Sequence, residues 1–114
     1  MLIKKKDAVK KSNSLECTVW EYPQASNLVS FATSVITGRY PPKGMVCNTK
    51  VEEIYYVISG TGVIHSEKGE FKIEQEDVYF FETKEKFYVV GNKLHLALIN
   101  APPWYVGQHK NVKI

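Results

Sequence analysis

Few residues of this chain combine the side-chain types and the sequence spacing that metal binding or catalysis requires. The three histidines, His65, His95 and His109, lie far apart in the sequence, and the cysteines Cys17 and Cys47 form no C-x-x-C pair. No Cys/His spacing therefore indicates a zinc site. His95 lies between two leucines, where an imidazole is either a hydrogen-bonded structural side chain or an acid–base group of a pocket.

The elements that must position these residues are strands. β-Branched and aromatic residues recur in short segments between Gly, Pro and charged turns, and no segment of ten or more residues has a helical period. The pattern predicts strands over residues 17–20, 28–37, 51–58, 63–65, 71–73, 78–81, 87–90 and 94–99. Many short strands with regularly spaced turns are typical of a β-sandwich or barrel.

Length and charge placement favour one neutral body with a basic arm. A chain of 114 residues suffices for one domain. We predict a Lys-rich, partly ordered N-terminal arm over residues 1–14 and a single body with a short C-terminal tail over residues 15–114. Of the 15 basic and 12 acidic residues, five lysines and two acids lie in residues 1–16, which leaves ten of each sign for the body. That balance argues against nucleic acid as a partner.

The sequence also predicts the compartment. No uncharged run is apolar enough for a transmembrane helix, and the opening MLIKKK has no apolar stretch behind it, as a secretory signal would. We therefore expect no membrane partner, and a cytoplasmic protein with two reduced thiols.

The segment EEIYYVISGTG, residues 52–62, resembles the first sequence motif of the cupins. Glu53, followed by six residues and then Gly60, matches the second half of that motif, and EDVYFF, residues 76–81, resembles the start of the second motif. The resemblance covers roughly residues 31–103. It implies an all-β fold, a small antiparallel β-barrel or jelly roll.

The departures from the cupin pattern concern the metal ligands. Alignment on Glu53 with a three-residue spacing places other residue types at the three family histidines, namely Cys47, Thr49 and Phe87. A four-residue spacing would instead use Val46 and Asn48, which is the poorer match. Only Glu53 of the four expected ligands remains, so we expect a degenerate metal site and no cofactor.

The alternation of side chains between the two faces of a strand then predicts which residues line a pocket. If Glu53 points into the barrel, Tyr55 does too. With the aligned positions, the expected ligand contacts are Cys47, Thr49, Glu53, Tyr55 and Phe87. The candidate catalytic residues are Glu53, Tyr55 and His95. Partial desolvation would raise the pKa of Glu53 and suit it to acid–base work, unless it pairs with a lysine or Arg39 or bonds to Tyr55.

The favoured function is a metal-independent barrel that binds a small polar metabolite, for example a sugar or nucleotide sugar. One alternative is a non-catalytic sensing or scaffold dimer whose barrel is filled by Phe80 and Phe87. A second is an enzyme of the sugar isomerase or epimerase type, and whether the chain is an enzyme stays open. Ile54, Tyr56 and Ile58 give the outer face of their strand an apolar character, which predicts a homodimer.

We predict that the chain binds no transition metal tightly, because three of the four ligand positions hold Cys, Thr or Phe. Thr ligates such metals poorly and Phe does not ligate them at all. Elemental analysis of protein purified without chelator should find iron, manganese, zinc and nickel far below one atom per chain. A near-stoichiometric content of any of them would contradict the prediction.

Overall fold

An antiparallel sheet curls around a single interior. The computed structural model describes residues 1–113. Its strands are β1 (Val9–Ser14), β2 (Cys17–Glu21), β3 (Ser30–Tyr40), β4 (Met45–Asn48), β5 (Glu52–Ser66), β6 (Gly69–Ile73), β7 (Val78–Phe81), β8 (Phe87–Ala101) and β9 (His109–Val112). The all-β class and the antiparallel barrel expected from the sequence are confirmed.

The strands β5 and β8 organise the sheet. Each has 15 residues, and they pair from Glu52 opposite Ala101 to Ser66 opposite Phe87. β8 also pairs with β3 and β4, whereas β5 pairs with β6 and β7. The core lies inside the curled sheet, and its largest fully buried apolar side chains are Phe81, Phe87, Ile36, Ile64, Leu94 and Leu96.

Both long strands pass through glycines, Gly60 and Gly91, at which the sequence pattern predicted a break or a bend. Gly60 has a φ of +82°, and a Cβ there would overlap the carbonyl oxygen of Lys93. A Cβ on Gly91 would lie 2.5 Å from the carbonyl oxygen of Ile36. The β5–β8 register shifts on both sides of Ser59, so the strands bend and continue instead of ending.

Part of the predicted N-terminal arm forms a strand. Residues 9–14 form β1, which pairs antiparallel with β2. An ion pair of 2.7 Å between Lys11 and Glu21 links the two strands. Nearly all of β1 is exposed at the edge of the sheet, and its polar sequence therefore lacks the apolar alternation that predicts a strand.

Helical structure within residues 1–113 consists of two three-residue 3-10 turns, Lys5–Asp7 and Val106–Gln108. None of it has the length and apolar character needed to cross a bilayer.

Candidate functional site

A cavity of about 390 Å³ lies inside the barrel. Its volume falls in the range of small-molecule sites. Its aromatic wall is formed by Tyr22, Phe31, Tyr55, Phe87 and Trp104. Its polar lining includes Tyr40, Glu53, Asn100 and His109. Because the barrel encloses this space, the alternative of a filled barrel is wrong: Phe87 lines the cavity, and Phe80 is 55% exposed.

Glu53, on β5, is a buried carboxyl of the cavity wall and is only 6% exposed. The Nδ2 atoms of Asn48 and Asn100 each donate a hydrogen bond of 3.1 Å, to Oε1 and Oε2 respectively. Neither an ion pair with Glu53 nor a bond from Tyr55 occurs within residues 1–113, so those two expected alternatives are replaced by two neutral amides.

Burial raises the pKa of Glu53 from an ordinary value of 4.5 to about 7, and the two amide donors lower it only in part. Desolvation dominates because no cation compensates the carboxylate charge. The raised pKa expected from the sequence is confirmed. At neutral pH the side chain is divided between its acid and its base forms, as a proton-transfer group requires.

Asn48, at the end of β4, connects Glu53 to the C-terminal segment. Its Oδ1 accepts hydrogen bonds from Trp104 Nε1 at 3.2 Å and from Gln108 Nε2 at 2.9 Å. The Nδ1 atom of His109 lies 2.9 Å from the same oxygen. Trp104 and His109 also line the cavity, so the C-terminal segment forms the part of its wall that is linked through Asn48 to the carboxyl of Glu53.

Tyr40 and His109 form a second polar pair on the cavity wall. The Tyr40 hydroxyl lies 3.1 Å from His109 Nε2, and the two rings are nearly parallel. Burial lowers the pKa of His109 from 6.5 to about 4 and raises the pKa of Tyr40 well above its ordinary range. Both side chains are therefore neutral at pH 7.

The structure brings together three of the residues singled out from the sequence. Glu53, Tyr55 and Phe87 all line the cavity. Tyr55 packs edge-on against Phe81 and Phe87, with ring centroids 4.7 and 6.4 Å apart. Their contact with a ligand stays a prediction.

The other three lie outside the cavity lining. Cys47 is buried but does not reach the wall. The hydroxyl of Thr49 donates to the carbonyl oxygen of Gln108 at 2.6 Å. His95 is half-buried on β8, opposite Val35 of β3, while Leu94 and Leu96 occupy the interior face. These positions do not favour a role in the site for Cys47, Thr49 or His95.

Cys47 and Thr49 lie outside the cavity lining because the motif alignment that selected them is shifted by one residue relative to the structure. In β4, Val46 is fully buried in the core and Asn48 reaches Glu53, as the four-residue motif spacing would place them. Side chains alternate along a strand, so the choice of spacing reverses which face meets the cavity. The three-residue spacing was the wrong choice.

Sequence reasoning missed most of the polar residues around the carboxyl. Asn100 lies directly opposite Glu53 in the β5–β8 register, which only the pairing of two distant strands reveals. Tyr40, Trp104 and His109 come from a strand end and from the tail. One available signal was the tail WYVGQH, residues 104–109, in which Trp104, Gln108 and His109 carry side-chain N–H groups.

Comparisons with solved structures decide the fold. Pac13, described as a nucleoside dehydratase, matches with a TM-score of 0.87 and 15% identity over 100% of this chain and 92% of Pac13. Variants of Streptomyces Pac13 solved with uridine match equally well. An RmlC-like cupin from Shewanella frigidimarina matches at 0.69, with 10% identity over 85% of this chain and 86% of its own. This chain has the cupin fold.

The cupin fold includes KdgF from Halomonas sp., which matches with a TM-score of 0.71 and 9% identity over 90% of this chain and 94% of KdgF. No protein-family model matches the sequence, and no curated protein matches it either. At these identities the likeness establishes the jelly-roll architecture and leaves the activity to the chemistry of the site.

The residues around Glu53 do not fit the metal that the cupin resemblance implies there. Asn48 and Asn100 turn N–H groups toward the carboxyl, where a metal would need lone pairs, and Phe87 offers no ligand atom. No group of three or more His, Cys, Asp or Glu side chains in the described part of the chain is arranged to hold a metal ion.

The raised pKa of Glu53 predicts a specific dependence of stability on pH. The folded state holds the Glu53 proton more tightly than the unfolded chain, so its stabilisation is complete below pH 4.5 and is lost as pH rises to about 7. His109 acts in the opposite sense, since its pKa of about 4 in the folded state makes stability rise with pH up to about 6.5. The two effects overlap and partly cancel.

Comparison with Glu53→Gln isolates the carboxyl, because His109 is common to both proteins. The stability of the wild type minus that of the variant should fall by roughly 3 kcal/mol at most between pH 4.5 and 7, then level off. Urea unfolding at a series of pH values measures this difference. A difference that stays level from pH 4.5 to 7 would show that the pKa of Glu53 is not raised in the folded protein.

Proposed function

We propose that this chain is a metal-independent cupin-fold protein that binds a small, uncharged polar metabolite and transfers a proton on it through Glu53. The observation that carries the proposal is a buried carboxyl on the wall of an open cavity, held by two amides and by no cation. That arrangement raises the pKa of Glu53 to about 7 and leaves a proton that can move in either direction.

The charges of the wall support an uncharged ligand. Among the described residues, no lysine or arginine lines the cavity, and its two acidic residues are Glu21 and Glu53. A phosphate or diphosphate would enter without a cationic partner and close to a carboxylate, at a large desolvation cost. The proposal therefore favours a sugar or a nucleoside over a nucleotide sugar.

The aromatic wall supports a ligand with a flat ring. Tyr22 and Phe31 meet edge to face, with ring centroids 5.5 Å apart, and Trp104 lines the same cavity. Such surfaces stack on nucleobases with little dependence on base identity. The described activity of Pac13, a nucleoside dehydratase, makes a nucleoside the first ligand to test.

The reaction class that the site suits is the elimination of water from a carbonyl compound. Ionised Glu53 takes the proton from the carbon next to the carbonyl, and the C–H electron pair forms a double bond. The C–O bond on the neighbouring carbon breaks, and its oxygen takes the proton back from Glu53 and leaves as water. One carboxyl with a pKa near 7 can serve both steps, and no further reactant is needed.

One observation supports the isomerase or epimerase alternative. Tyr40 and His109 lie together on the wall that also holds Glu53, so the cavity contains a second pair of proton-bearing groups. Isomerisation and dehydration of a carbonyl compound begin with the same proton removal. They differ in product, because only dehydration lowers the mass by one water.

We predict that uridine or a related nucleoside raises the melting temperature in a saturable way, whereas the corresponding nucleoside diphosphate does not. Glu53→Gln should bind the nucleoside within a few-fold of the wild type. On a nucleoside oxidised to a carbonyl it should lose turnover by about 100-fold or more. Mass spectrometry of the product distinguishes dehydration from isomerisation.

His95→Gln is the matched control, because His95 lies outside the cavity lining and should leave binding and turnover unchanged. A blank thermal-shift screen against sugars and nucleosides, or full activity of Glu53→Gln, would contradict the proposal.

We further propose that the chain forms a homodimer through the outer face of β5 and β7. Tyr56 lies opposite Val78 in their register, and Ile54 lies opposite Phe80. Val78 is 58% and Phe80 55% exposed, so an apolar patch spans both strands. The cytoplasmic location likewise remains a proposal, with which two buried free thiols are compatible.

Light scattering tests the dimer. Phe80→Lys should shift the mass from two chains to one without unfolding the barrel, because its side chain lies on the outer face. Leu15→Lys is the control, since Leu15 is 98% exposed in the turn between β1 and β2. A wild-type mass of one chain would rule the dimer out.

A further inference from the structure

We infer that Asn48 fixes His109 in the Nδ1–H tautomer and thereby makes the Tyr40 hydroxyl a hydrogen-bond acceptor toward the cavity. Tyr40 would then select ligands that present a hydroxyl or N–H donor at that point of the wall. The ligand selection rests on the proposed function, because it assumes that the cavity binds a ligand, whereas the tautomer does not depend on it.

The first step is the orientation of the Asn48 amide. The indole Nε1 of Trp104 can only donate, and it lies 3.2 Å from Oδ1. On the other side, Nδ2 lies 3.1 Å from an oxygen of Glu53. A reversed amide would place its N–H₂ group against the indole N–H and its oxygen against the carboxyl. The first contact would always be repulsive, and the second would be repulsive whenever Glu53 is ionised.

The second step is the tautomer of His109. Its Nδ1 lies 2.9 Å from Asn48 Oδ1, which has no proton to offer, so Nδ1 must carry the hydrogen. The low pKa of His109 keeps the ring neutral at pH 7, so Nε2 is unprotonated. The imidazole therefore presents a lone pair to Tyr40.

The third step is the polarity of Tyr40. Its hydroxyl lies 3.1 Å from Nε2 and must donate its single proton there. The lone pairs of the phenolic oxygen remain for a partner in the cavity. Tyr40 thus donates to His109, and His109 donates to the oxygen of the Asn48 amide. The nitrogen of the same amide donates to Glu53.

A ligand must match both ends of this series of hydrogen bonds, Tyr40 and Glu53. It meets an acceptor at Tyr40 and a carboxyl at Glu53 that accepts or donates according to its protonation. A vicinal diol, as in a ribose, supplies a hydroxyl donor for Tyr40 beside the group that Glu53 addresses. An analogue without that hydroxyl leaves the Tyr40 oxygen unpaired, which we expect to weaken binding roughly tenfold.

Nitrogen NMR of the full chain, with ¹⁵N-labelled histidine at pH 7, tests the tautomer without any ligand. The expected result is a protonated Nδ1 and an unprotonated Nε2 for His109, assigned by comparison with His109→Gln. A protonated Nε2 would overturn the inference even if nucleosides bind. If no nucleoside binds, the proposed function fails, and this measurement still decides the tautomer.

Calorimetry of uridine and its 2′- and 3′-deoxy analogues tests the selection. The wild type should prefer uridine over one deoxy analogue roughly tenfold, and Tyr40→Phe should bind both equally. His95→Gln, a change outside the cavity lining, should retain the preference. The same preference in Tyr40→Phe, with the fold intact by circular dichroism, would show that Tyr40 does not select the ligand.

Discussion

The site depends on one constraint, a carboxyl buried without a positive charge beside it. A lysine or arginine next to Glu53 would lower its pKa and hold it permanently ionised. Two amide N–H groups satisfy the oxygens without supplying charge, so the proton remains available near neutrality. The surrounding strands keep this geometry because Asn100 lies opposite Glu53 in the central β5–β8 pairing.

Asn48 extends that constraint to the tail of the chain. It holds Glu53 with its nitrogen, and its oxygen accepts from Trp104 and Gln108. A short C-terminal segment, whose strand β9 pairs with β4, is in this way linked to the carboxyl of Glu53. The position of the tail on the cavity wall and the position of the carboxyl consequently depend on the same side chain.

The sequence predicted the strands and inward-facing residues that a local pattern encodes. It missed the residues whose place in the site depends on contacts between distant parts of the chain. The strand over residues 78–81 has the predicted bounds, and Glu53 and Tyr55 face the interior as alternation required. Asn48 was missed because a one-residue slip in a four-residue strand changes its face. His109 was missed because its contacts with Tyr40 and Asn48 span more than sixty residues, which no local periodicity reports.

The same cupin position can therefore hold two kinds of chemistry. In the motif that this chain resembles, imidazole lone pairs and a carboxylate converge on a cation. Here Asn48 occupies one of those positions and presents an N–H group, while Phe87 replaces a ligand with a ring. A hydrogen-bond donor in place of lone pairs disfavours a cation at this position, and burial without a neighbouring cation raises the pKa of the carboxyl. Under the proposed function, the same substitutions that disfavour a metal leave Glu53 with a pKa of about 7, which suits it to proton transfer.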